Sequence, residues 1–138
     1  MAVIYSTAAK TGRMQAVADL IAGKTIASSG TTTQGRLIIG TSALSGQAEP
    51  NAAILASIPL SATPGTVTNA VLTLTTPVSA GAANGGVAAK AEIRNSSGTV
   101  LISGLTVGTS SADIIVANTT ITAGQTVQVT SGSITHAT

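Results

Sequence analysis

From Arg36 onward the chain alternates short runs of Val, Ile, Leu and Thr with clusters of Gly, Pro, Asn and Ser. That is the pattern of strands separated by turns. The runs are Leu37 to Leu44, Ala53 to Leu60, Thr66 to Thr76, Val87 to Arg94, Thr99 to Val107, Asp113 to Val116 and Thr126 to His136. In the fourth run Lys90, Glu92 and Arg94 alternate with Ala89, Ala91 and Ile93. The pattern predicts a solvated charged face, with Glu92 pairing across its two basic neighbours, and an apolar face turned to the core. Asn95-Ser96-Ser97-Gly98 supplies turn chemistry before Thr99-Val100-Leu101-Ile102 and so closes a hairpin. In the last run Val127 and Val129 share one parity and Ile134 has the other, which a bulge at Gly132 would reconcile. Many short strands without intervening helices predict an antiparallel β-sandwich or jelly-roll-like domain over residues 36–138. No fixed-period repeat is present, which argues against a solenoid.

The first 35 residues follow a different pattern. Residues 1–10 read as an extended arm, with Val3 and Tyr5 alternating against Ile4 and Ser6. Met14, Val17, Ala18 and Ile21 then recur at three- and four-residue steps, the stripe of a short amphipathic helix over about 12–22 that docks by its apolar side. Thr11 is the expected N-cap, and Gly23 the residue that ends the helix, with Lys24 beside the carbonyl end. Residues 25–35 are small, polar and aperiodic, as in a linker. The expected architecture is therefore mainly β: an arm, one short α-helix and a linker (1–35), then a β-sandwich domain (36–138).

Composition narrows the function. Only 7% of the 138 residues are charged, and Tyr5 is the sole aromatic. The 33 Val, Ile and Leu residues are enough for a core at about 1.5–3 kcal/mol each on burial, but a core without aromatic rings is a light one. Partner subunits are expected to add to its stability. The net charge is +2 and no two basic residues are adjacent, so no nucleic-acid partner is expected. Without cysteine there is neither a disulfide nor a thiolate metal site. No apolar run approaches the ~18 residues of a membrane span, and the N-terminus lacks a basic segment followed by an apolar one, so neither a membrane partner nor a Sec signal is expected. Lys10, Arg13, Lys24 and Arg36 against Asp19 make the N-terminal quarter positive, whereas the remainder is slightly negative.

Candidate chemistry is sparse. His136 is the only histidine, and a triad would need Asp19 or Asp113 to orient it; an exposed or edge-strand histidine is the expected outcome. Asp19, Glu49, Glu92 and Asp113 form no local pair and no metal-ligand spacing. Gly81-Ala82-Ala83-Asn84-Gly85-Gly86 lacks the Lys-Ser/Thr of a phosphate-binding loop and reads as a strand connection. The threonine-rich runs have no common spacing, as an ice-binding face would require, and are expected to fill outward strand positions. The reading is a protein without enzymatic activity, metal or cofactor.

Three stretches resemble small structural proteins from the virions of tailed bacteriophages. They are Gly12-Arg13-Met14-Gln15-Ala16-Val17-Ala18-Asp19-Leu20-Ile21-Ala22-Gly23, the run from Ala88 to Thr109 with its Ser103-Gly104-Leu105-Thr106-Val107-Gly108-Thr109 ending, and Ile121-Thr122-Ala123-Gly124-Gln125-Thr126-Val127 through Ile134-Thr135-His136-Ala137. The resemblance is greatest to capsid decoration (cement) proteins. It implies a jelly-roll-like fold, a place on the capsid surface after synthesis in the host bacterial cytoplasm, and two partners, the major capsid protein and further copies of the chain as a homodimer or homotrimer. Tyr5, Arg13, Met14, Val17, Ile21, Lys24 and Arg36 are the expected partner-binding residues. Removing residues 1–24 is then expected to abolish capsid binding while leaving the β-domain folded. A tail or baseplate component, or a receptor- or carbohydrate-binding module, is the alternative, although sugar stacking would have only Tyr5 to use.

Overall fold

The structure, a computed structural model, describes residues 3–24, 34–61 and 63–136. Among the described residues, one helix, α1 (Thr7–Ile21), precedes eleven strands: β1 (Arg36–Gly40), β2 (Ile54–Pro59), β3 (Gly65–Thr68), β4 (Val71–Leu74), β5 (Val78–Gly81), β6 (Gly86–Val87), β7 (Lys90–Arg94), β8 (Val100–Gly108), β9 (Ile114–Val116), β10 (Thr120–Ile121) and β11 (Thr126–Thr135). The chain is thus mainly β with one short helix, and its curled sheet gives a sandwich-like domain. Nine strands form that sheet in the order β2-β1-β7-β8-β9-β11-β4-β3, with β5 also on β11. The expected runs correspond to strands, with four refinements. The first run ends at Gly40, the third is a two-strand hairpin, the fourth is divided because Val87 belongs to β6, which pairs with β10 in a small separate sheet, and β5 and β10 lie between the runs.

β4 and β5 lie end to end along β11, Val71 opposite Thr135 and Gly81 opposite Thr126, so they act as one strand broken near Pro77. Beyond β5, the Ala83 N–H donates to Leu55 O in β2 at 2.8 Å. The far edge of the sheet therefore meets its first strand, and the sheet curls around a core that includes Leu37, Ile39, Leu55, Ile93, Ile114 and Val129. Pairing is antiparallel except between β8 and β9, which run parallel although only five residues join them. Asp113 holds that tight connection, its Oδ2 accepting from Thr106 N at 3.0 Å and from Thr106 Oγ1 at 3.1 Å.

The helix begins earlier than its apolar stripe suggests. Its N-cap is Ser6, whose hydroxyl accepts from Ala9 N at 3.2 Å, and not Thr11. The unpatterned residues 7–10 extend the helix because alanine and lysine favour helix wherever a cap precedes them, so the arm among the described residues is only Val3 to Tyr5. The C-terminal signal holds as read. Gly23 adopts φ +80°, its N–H donates to Leu20 O, and Lys24 N–H donates to Asp19 O. These are the two bonds of a Schellman motif. Met14, Ala18 and Ile21 enter the same core as the strands, and α1 packs against β3, β4 and β8. Thr11 instead ties the helix to the β3–β4 turn, its Oγ1 accepting from Ala70 N at 2.8 Å. Of the expected linker, residues 25–33 lie outside the described residues. Gly35 is packed so closely that a Cβ there would meet Ile21 at 2.7 Å.

A register shift in β11 does reconcile the two parities, but it falls between Val129 and Ser131 rather than at Gly132. Thr130 and Ser131 both face solvent, and Gly132 is buried. Gly132 serves close packing, since a Cβ would lie 2.6 Å from Leu74 Cδ1. Gly132→Ala is expected to cost about 1–3 kcal/mol by overpacking. Urea unfolding should show a lower midpoint at unchanged slope. An unchanged midpoint would mean that Leu74 rotates away freely.

Candidate functional site

Two surfaces carry the side chains that could act on something outside the chain. The first is the N-terminal segment. Val3 is 72% and Ile4 88% exposed, so none of the described residues covers this apolar pair. Tyr5 is less open, at 39%, because the Arg13 guanidinium lies over its ring, 3.7 Å from the centroid. The contact is a cation–π stack of the kind worth about 0.5–1 kcal/mol at an exposed site. It ties the root of the arm to the first turns of α1. The remaining expected partner residues separate by depth. Met14 and Ile21 are 4% and 0% exposed and belong to the core, and Val17 packs against it. Their side chains are occupied within the chain. Tyr5, Arg13, Lys24 and Arg36 keep outward access.

The second surface lies on the outer face of β1 and β7, where the structure corrects the expected solvated face. Lys90 is exposed, but Glu92 and Arg94 are buried at 2% and 3% exposure. Residues 41–50 form a strap across them. The strap holds its own shape, with Ser45 N–H donating to Gln47 Oε1 at 2.7 Å and Gln47 Nε2 to Ala43 O at 2.8 Å. Leu44, which the sequence pattern places at the end of a strand, is instead the strap's apolar foot. It is buried in a small second cluster with Ile38 and Ile54. Beside that cluster, the Gly46 N–H donates to Glu92 Oε1 at 2.7 Å, and Arg94 Nη2 donates to Glu92 Oε2 at 2.8 Å. The carboxylate therefore joins strap and strand in one network. Each charge there is tolerable because the other is present, since a buried ion without its partner costs several kcal/mol.

Arg36 stands opposite Arg94 in the β1–β7 register. Both line a cleft of about 350 Å³ between the strap and the 95–98 turn, together with Ala48, Glu49, Ser97 and Gly98. The turn is built as the sequence indicates, with Asn95 Oδ1 accepting from Ser97 N at 3.0 Å and Thr99 N at 2.9 Å, and Gly98 at φ +87°. The sequence gives no sign of the cleft itself. Its arginines are 58 positions apart, and only the pairing of β1 with β7 joins them.

Elsewhere the polar groups have structural partners. Asp19 Oδ1 accepts from Gln15 Nε2, and Asp113 is held by Thr106. His136 N–H donates to Ala70 O, closing the C-terminal strand onto the β3–β4 turn. In the glycine-rich 81–86 connection, Ala82 N–H donates to Gln125 O, and Ala83 and Asn84 N–H both point to Leu55 O. Those amides cannot converge on a phosphate. Among the described residues, no three His, Asp or Glu side chains gather as a metal site, and no helix is long and apolar enough to cross a membrane. No protein-family model matches the chain, and no curated protein or solved structure matches it either.

Proposed function

We propose that this protein is a non-enzymatic structural component of a tailed-phage virion, a capsid decoration protein that binds the outer shell and stabilises contacts between major capsid subunits. The observation that supports the reading beyond sequence resemblance is the arm. Val3 and Ile4 project, largely exposed, from a helix whose own apolar side is locked into the core. Exposed apolar side chains in a cluster favour contact with a partner surface, and a rigid root reduces the ordering cost of that contact. Repetition then multiplies a modest affinity, because many copies engage a closed shell at once. Assembly of the chain with its own copies, as dimer or trimer, belongs to the same proposal.

The test follows from the position of α1. Removing only residues 1–5 takes away the arm and leaves the Ser6 cap and the core intact. The shortened chain is expected to melt within about 4 °C of the full one, because Val3, Ile4 and Tyr5 lie outside the core and only the Tyr5–Arg13 stack is lost. It is also expected to lose binding to purified shells by at least about tenfold in a co-sedimentation assay, the equivalent of about 1.4 kcal/mol. Undiminished decoration by the shortened chain would refute attachment through the arm. A reconstruction of the parent particle with this chain only on the tail would replace capsid decoration by a tail role.

A further inference from the structure

In the β1–β7 pairing, Arg36 and Arg94 stand directly opposite each other on the outer face. Like charges in that position repel, so the arrangement is stable only if anions offset them. Glu92 supplies one for Arg94. Among the described residues Arg36 has no such partner, and its Nη1 reaches only the Ser57 hydroxyl at 3.1 Å. Arg94 is itself not fully used, because its Nε is buried without a hydrogen-bond acceptor among the described residues. Both arginines line the same cleft. Glu49 also lines it, yet makes no ion pair with either arginine.

We infer that this cleft receives one carboxylate group of a protein partner, an aspartate or glutamate side chain, held by Arg36 and Arg94. Charge decides the class of ligand. Arg36, Arg94, Glu92 and Glu49 sum to zero, so once Glu49 swings out to solvent one positive charge remains, which a single carboxylate cancels and a phosphate dianion exceeds. Guanidinium groups suit this ligand because their planar donors match a carboxylate's two oxygens. Ser97 and Gly98 line the same cleft beside them. Glu49, exposed on the rim, is the internal competitor: it partly offsets the positive charge of the cleft until a partner's carboxylate displaces it. A single carboxylate is weakly held, so the site acts as one anchor within a larger contact.

The site is a property of the isolated chain and can be tested without a shell. The probes are acetate and N-acetyl-glutamate methylamide, whose only charge is the side-chain carboxylate. Either is titrated into the full-length protein labelled with ¹⁵N, with chloride keeping the ionic strength constant. Saturable shifts are expected at the arginine Nε–H signals and the Ser97 and Gly98 amides. Arg36→Gln, at an exposed position, should abolish them. Glu49→Gln should tighten binding by about two- to fivefold, the scale of one exposed charge pair. Shifts that chloride alone reproduces, or that persist in Arg36→Gln, would overturn the site. Tighter binding of phosphate than of acetate would overturn its carboxylate class. Binding of acetate but not of the glutamate derivative would overturn a protein-borne ligand.

Discussion

Replacing Glu92 with alanine is expected to destabilise the protein by about 3–5 kcal/mol. For a domain of this size the loss corresponds to a melting point lower by on the order of 10 °C or more. Two bonds disappear together: the one from Gly46 N–H that holds the strap, and the one from Arg94 Nη2. What remains is a guanidinium at 3% exposure with no counter-charge, and that unpaired charge, rather than the lost bonds, dominates the cost. The companion variant separates the two contributions. Glu92→Leu combined with Arg94→Met removes both charges at similar volume and should recover most of the stability, leaving a deficit of about 1 kcal/mol for the unsatisfied Gly46 amide. Thermal and denaturant unfolding of the single and double variants measure both effects. A single variant less than about 1 kcal/mol below the parent would show that Glu49 or water in the cleft offsets the Arg94 charge once Glu92 is gone.

The second large effect concerns the helix. Ile21 is fully buried, and Ile21→Ala should cost about 2–5 kcal/mol through lost burial and the cavity left behind. Removing residues 1–24 takes away Met14, Ala18, Ile21 and Ala22 together, along with the Thr11 acceptor for Ala70 N–H. That truncation is expected to lose cooperative unfolding and expose the inner surfaces of β3, β4 and β8. The outcome differs from the sequence-based expectation of a β-domain indifferent to the first 24 residues. A sharp thermal transition and unchanged near-ultraviolet spectrum in the truncated chain would show that the strands close without the helix. The contrast with removal of residues 1–5 matters for function. Only the shorter deletion can separate attachment from folding.

What could be read from the chain and what could not divides along a physical line. Strands announce themselves through alternation and through the turn residues between them, and both are local properties. Hence the Asn95–Gly98 turn and the β8 and β11 runs stand where the pattern puts them. The Gly23 end of α1 is equally local, since a left-handed residue there satisfies the last carbonyls. Two features eluded the pattern because they depend on contacts between distant segments. Alternation in β7 shows that Glu92 and Arg94 share a face, yet nothing in those five residues says that a strap from positions 41–50 covers it. The one local hint is Leu44, a lone branched aliphatic in a run of small polar residues. Likewise, the apolar stripe of α1 fits a partner surface as well as it fits the chain's own core. Only the packing of α1 against β3, β4 and β8 decides between them.

The order of hydrophobic and polar residues along the chain alone determined the β class, the presence of one helix, the hairpin over 95–98 and the scarcity of reactive groups. These follow from periodicity and residue type, which act within a few residues. Tertiary structure alone decided that α1 belongs to the core, that an ion pair lies beneath the strap, and that Arg36 faces Arg94 across a cleft. Each of these is set by which surfaces meet when the sheet curls, and that depends on pairing between segments tens of residues apart.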